Sequence, residues 1–199
     1  MLNDDFATRL SWLRTDNIYQ KSTKHGLILK EVNEEGRAEV HFCTDHNELY
    51  SFRLEGNNKF PYLTNQKCAD GIILELRQEQ WFLHVIEFKK TMKKDIWNKT
   101  KVQYEGAVLR MHAIMGILGI EKLDGIYFYS AFRNNDFEPK ESTSPVLMRQ
   151  LERRENLSTT VELREWFDEK ITVLSLKDMP LQKIRLDKET GRGMVQLSS

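Results

Sequence analysis

The chain has 199 residues, 30 Lys plus Arg balanced by 30 Asp plus Glu, and 40% hydrophobic content. That composition fits one globular domain and excludes both a disordered chain and a protein drawn to nucleic acid by overall charge. Cys43 and Cys68 make no disulfide framework, no apolar run has membrane-spanning length, and MLNDDFATRL lacks the flanks of a signal peptide, so the expected location is cytoplasmic.

Leu2, Phe6, Leu10 and Leu13 recur at helical spacing and predict a helix within Leu2–Arg14, with Asn3 as the candidate cap. Asn17–Lys24 is polar and reads as a loop. Leu27–Val32 and Ala38–Cys43 read as strands around a turn at Asn33–Gly36, and Glu48–Leu54 alternates as a third strand. Residues 1–66 are therefore expected to form an N-terminal helix and a β-meander. Glu31, Glu34, Glu35 and Glu48 are scattered through it, and the sequence does not choose among them as site residues. His41, Cys43, Asp45 and His46 invite a zinc reading, but their spacing matches no standard pattern and no second cluster completes the ligands.

Cys68–Lys90 organises the chain. Gly71–Leu76 and Trp81–Phe88 are nearly continuous apolar runs and read as buried strands, joined by a four-residue loop, Arg77–Gln80. If Leu76 faces Trp81, counting outward sets Asp70 opposite Glu87, with Cβ atoms about 5 Å apart, and alternation puts Lys89 on the same side. Two facing carboxylates repel, and this invites either a raised pKa or a bound cation. Hard oxygen ligands suit Mg²⁺ or Mn²⁺, and a neighbouring ammonium can orient water or take up phosphate charge. This is the chemistry of metal-assisted phosphodiester hydrolysis. The competing reading is an ordinary salt bridge at a strand end. Two other acid-x-Lys triplets, Glu138–Lys140 and Asp168–Lys170, do not end an apolar strand.

Asp70 followed by Glu87-Phe88-Lys89 at the end of the next strand resembles the signature of the PD-(D/E)XK nuclease superfamily, with Ala69 where the family name has proline. The resemblance covers residues 67–132, the expected catalytic core, and identifies no subfamily. It implies a restriction-endonuclease-like α/β (α+β) fold. In that fold, a mixed sheet with a central antiparallel hairpin and a βαβ unit is flanked by helices. It also implies that Asp70 and Glu87 bind Mg²⁺ or Mn²⁺, with the Phe88 carbonyl as a further ligand and Lys89 as the catalytic lysine. The additional acid that many members carry on an early helix is not placed here. An Mg-dependent deoxyribonuclease of this kind would serve defence, antiviral or otherwise, restriction or repair.

After Lys89 come Lys90, Lys93, Lys94, Lys99 and Lys101, offset only by Asp95. They are either a phosphate-gripping rim or a solvated helix face. Trp97 either stacks on a base or packs, and packing is the favoured reading. Lys99–Leu118 reads as a largely buried helix ended by Gly119, with Val102, Leu109 and Ala113 among its apolar positions. Ile126–Phe132 follows as a strand parallel to Trp81–Phe88. By the resemblance, a polar residue near the start of that helix joins the site, and Gln103 and Lys101 are the candidates.

Residues 133–199 are expected to hold C-terminal helices and strands. They comprise a loop over Asn134–Ser144, helices over Val146–Glu155 and from Thr159 or Thr160 to Lys170, a strand over Ile171–Leu176, and a hairpin of Leu181–Leu186 with Met194–Leu197. The second helix would place Val161, Leu163, Trp166 and Phe167 on its apolar side. His84 faces away from Glu87 and reads as a core histidine. The leading expectation is a DNA-cleaving nuclease. The alternative is a nuclease-like fold, without catalysis, that binds nucleic acid or a protein. A homodimer through the β-rich first third is a further reading.

Overall fold

The computed structural model describes residues 4–14, 18–22, 26–33, 36–56, 60–137 and 161–197. The expected helix over Val146–Glu155, the caps at Thr159 or Thr160, Glu34, Glu35 and the Glu138–Lys140 triplet lie outside these residues. The architecture is mixed α/β. In chain order it runs α1 (Asp4–Leu10), β1 (Tyr19–Ser22), β2 (Leu27–Asn33), β3 (Gly36–Cys43), β4 (Glu48–Phe52), β5 (Gly71–Arg77) and β6 (Gln80–Met92). It continues with α2 (Lys94–Leu118), β7 (Gly125–Asn135), α3 (Val161–Asp168), β8 (Lys170–Val173), β9 (Leu176–Arg185) and β10 (Arg192–Gln196).

Seven strands form one mixed sheet in the order β1-β4-β5-β6-β7-β9-β8, and a second sheet has the order β10-β3-β2. β5 and β6 form an antiparallel hairpin, while β6, β7 and β9 run parallel. The two faces of β6 enter different cores. Leu83 and Val85 pack with Tyr104, Val108 and Met111 of α2, whereas Ile86 and Phe88 pack with Val40 and Phe42 of β3. Burial on both faces is why β6 reads as a nearly unbroken apolar run.

Several expectations change. The meander breaks, because β2 and β3 belong to the second sheet and β4 to the first. Alternation marks which residues face a core; it does not choose a strand's partner. Chain 44–47 makes the switch, with the Asn47 amide donating to Thr44 Oγ1 at 3.1 Å. The loop expected over Asn17–Lys24 contains β1, which pairs with β4. The first helix, expected to reach Arg14, ends at Leu10.

The C-terminal hairpin is also replaced. Its turn exists, since Asp187 Oδ1 accepts from the amides of Glu189 and Thr190, but β9 then lies beside β7 and β10 pairs in parallel with β3. The turn carries the chain from one sheet to the other. The strand expected over Ile171–Leu176 is interrupted: Ile171–Val173 lies in β8, Leu176 opens β9, and a turn with Leu174 at φ 54° joins them. On α3 only Glu165 and Trp166 are buried, and Val161 and Phe167 are exposed. α2 begins at Lys94 and buries one stripe, leaving Val102, Ala113 and Ile117 outside. Gly119 ends it in the left-handed conformation, φ 74°, and the Ile120 amide returns to the Met115 carbonyl at 3.0 Å. Among the described residues no helix is long and apolar enough to cross a membrane.

Candidate functional site

The β5–β6 register builds the site. Leu76 pairs with Trp81 and Gly71 with Ile86, and one further step sets Asp70 beside Glu87. The loop has two residues where four were expected, because Arg77 pairs with Gln80. Gln78 and Glu79 both hold positive φ, 49° and 67°. A type I′ turn requires that of both central residues, and its twist matches the strands. The shorter loop leaves the register unchanged.

Asp70 precedes β5, and its approach is clamped to α2. Buried Arg110 donates from Nη2 to the Gln66 carbonyl at 3.0 Å and from Nη1 to that of Lys67. Gln103 Nε2 donates to the Cys68 carbonyl at 3.5 Å. Between them, a Cβ at Gly106 would fall on the Lys67 carbonyl oxygen. Gln103, Gly106 and Arg110 lie on one helix stripe, so a single face of α2 holds chain 66–68.

At the hairpin end the three expected residues meet. The Asp70 amide donates to Glu87 Oε2 at 3.1 Å, the Phe88 amide donates to Asp70 Oδ2 at 2.8 Å, and the Lys89 ammonium pairs with Glu87 Oε1. Glu87 is 0% exposed, while Asp70 is half-buried. Burial, then the charge of Asp70, pushes the Glu87 carboxyl well above the usual range against the opposing pull of Lys89. Burial also raises Asp70, offset by the Phe88 amide and Lys89. From the α2 side Tyr104 closes the site, its Oη donating to the Tyr129 carbonyl at 2.9 Å.

Two close carboxylates, both raised in proton affinity by burial and Glu87 also by the charge of Asp70, suit a divalent cation. Among the described residues no group of three or more His, Cys, Asp and Glu could hold a metal. Among the described residues, Asp70 and Glu87 would be the side-chain ligands, with the other positions open to main chain, water or substrate oxygens. That donor set fits Mg²⁺ and Mn²⁺, which keep several waters.

The lysines divide into two groups. Lys90, Lys93, Lys94 and Lys99 are exposed around the β6–α2 junction. Lys101 instead binds Glu165 of α3 at 2.8 Å. Glu165 also accepts from Trp97 Nε1 at 3.1 Å and the Thr172 amide at 3.2 Å. Trp97 is wholly buried and edge-on to Trp166 at 5.5 Å, so it packs.

On the opposite face of the hairpin lies a second buried polar group. Asn47 Nδ2 donates to Glu75 Oε1 at 2.6 Å, His84 Nε2 lies 2.9 Å from Glu75 Oε2, and His84 Nδ1 lies 2.9 Å from Tyr129 Oη. His84 is a hydrogen-bonded core histidine, as its position suggested. His41 and Cys43 project from the opposite side of β3 to Val40 and Phe42, outside the core that those two enter. Sequence reasoning missed Glu75, Gly106 and Arg110. Arg110 did leave a signal: a charged residue on the apolar stripe of Ala107, Met111 and Ile114.

Comparison with protein-family models, with curated proteins and with solved structures gives no match. No family is shown.

Proposed function

We propose that this chain is a metal-dependent nuclease of the PD-(D/E)XK type that hydrolyses DNA phosphodiester bonds, in the service of defence, restriction or repair. The observation that carries the reading is the Asp70–Glu87 pair, Glu87 buried and Asp70 half-buried, opposed across a hairpin end and flanked by Lys89. The succession β4-β5-β6 antiparallel, then α2, then parallel β7 supports a restriction-endonuclease-like core.

Asp70 and Glu87 would hold Mg²⁺ or Mn²⁺, with the Phe88 carbonyl as a further ligand. When bound, the ion supplies Lewis-acid polarisation of a phosphate and a more acidic water. Lys89, held by Glu87, offers its ammonium to the charge that develops on the phosphate. Gln103 and Arg110 keep the Asp70 segment in place. Lys90, Lys93, Lys94 and Lys99 bind flanking phosphates without regard to sequence, and that contact weakens with salt.

Titration calorimetry with Mg²⁺ or Mn²⁺ on wild type and Asp70→Ala, beside cleavage of plasmid and single-stranded DNA, tests the reading. Metal binding lost in the variant, with metal-dependent cleavage by wild type, is expected. If neither protein binds metal, the triad is structural.

One observation favours a second reading, a binding module without catalysis. Both Glu87 oxygens are already engaged, by the Asp70 amide and by Lys89. Such a module would hold DNA or a protein equally well with the divalent ion removed.

A further inference from the structure

We infer that the site acts on single-stranded nucleic acid, admitted through a cleft between the edges of the two sheets. The inference rests on the nuclease reading and adds its substrate class. Asp70 lines a cavity of about 720 Å³ together with Tyr19, Ser51, Arg53, Leu29 and Lys30. β1 is the edge strand of the large sheet and β2 the edge strand of the small one, so the cavity runs between two strand edges. Every residue from Gly26 to Lys30 lines it. Successive side chains of a strand point to opposite faces, so five consecutive lining residues mean that the main-chain edge of β2 faces the cavity.

The lining selects the ligand. A single strand can turn its unpaired bases onto an aromatic ring and lay its phosphates against cations, whereas the bases of a duplex are already stacked on one another. Glu87 has no exposed surface and Tyr104 covers the α2 side, which leaves the Asp70 side for a phosphate to approach.

The lining has the chemistry of a single-strand binder. Tyr19 is half-buried, stacked on Tyr50 and tilted against Phe52, each at 6.0 Å between ring centres, and the part of its ring that lines the cavity offers a base an aromatic surface. Arg53, which also lies 3.9 Å from Glu55, and exposed Lys30 bring positive charge to the backbone path. Aromatic stacking beside cations binds single strands with little base preference.

The experiment compares a labelled single-stranded oligodeoxynucleotide with the matching blunt duplex. Binding is measured by fluorescence anisotropy in EDTA and cleavage in Mg²⁺. The variants are Tyr19→Ala, Arg53→Glu with Lys30→Glu, and Gln20→Glu at an exposed lining position. Wild type is expected to bind and cut the single strand at least about tenfold better than the duplex, and each variant to lose about tenfold in single-strand affinity. Gln20→Glu leaves the core untouched and keeps the test valid if Tyr19→Ala unfolds.

Equal binding and cutting of the duplex overturns the cleft and leaves the nuclease reading intact, as do variants that bind like wild type. Single-strand binding that the variants weaken, without any Mg²⁺-dependent cleavage, supports the cleft and overturns the nuclease. If neither substrate is bound or cut, both are overturned.

Discussion

Asp70 is bound to Glu87 by its main chain while its side chain repels it: the Asp70 amide donates to Glu87 Oε2 at 3.1 Å, and the two carboxyls share one buried hairpin end. The hydrogen bonds hold the acids together against their charge. The arrangement therefore stores a demand for a proton or a cation at one defined place.

Asp70→Asn keeps an acceptor for the Phe88 amide and removes the charge repulsion between residues 70 and 87. Its melting temperature in metal-free buffer should equal or exceed that of wild type, while Mg²⁺-dependent cleavage falls by at least about 100-fold. Mg²⁺ should raise the melting temperature of wild type and leave that of the variant unmoved. Cleavage at the wild-type rate would remove Asp70 from the site.

The raised Glu87 carboxyl also gives a signed pH dependence. A carboxyl that binds its proton more tightly folded than unfolded adds stability that is complete below the usual carboxylate value of 4.5 and is lost as pH climbs through the raised one. The metal-free protein should accordingly lose stability from that value upward. Urea midpoints measured across this window should slope downward for wild type and be nearly level for Glu87→Gln. Parallel slopes in the two proteins would show that the Glu87 proton is not held this way.

Gly106 tests the clamp. A methyl group there meets the Lys67 carbonyl, which is main chain and cannot rotate away. Gly106→Ala is expected to cost about 1–3 kcal/mol. It should also depress cleavage, because chain 66–68 carries Asp70. A fully stable, fully active variant would break the link between α2 and the carboxylate pair.

Lys101 is expected to act in the fold. Lys101→Met leaves Glu165 half-compensated among Trp97, Thr172 and Trp166, and should destabilise by up to about 3–5 kcal/mol, less in proportion to the remaining exposure of the pair. Lys93→Met and Lys94→Met, at exposed positions, should instead reduce the salt dependence of DNA binding with little change in melting temperature. Oligonucleotide affinity measured against salt concentration, alongside thermal melts, separates the two roles. A salt slope that falls with Lys101 would return that residue to the phosphate rim.

The hairpin, its register and the meeting of Asp70, Glu87 and Lys89 were legible in the chain because they are local. Two apolar runs, a short turn and alternation define which residues oppose each other within about 20 positions. The parallel placement of β7 was legible for a similar reason, since a long helix between two strands leaves few other arrangements. What the tertiary structure alone decided is long-range. Alternation in Ala38–Cys43 reads the same whether its partner is β4 or β10, so the split into two sheets and the cleft between them left no mark in the sequence. Gly106 and Arg110 acquire meaning only when chain 66–68 lies against α2, and Lys101 only when Glu165 arrives from α3. Residues that share a strand or a turn announce their relations by spacing. Residues joined across 40 or 60 positions do so only once packing has chosen which surfaces meet.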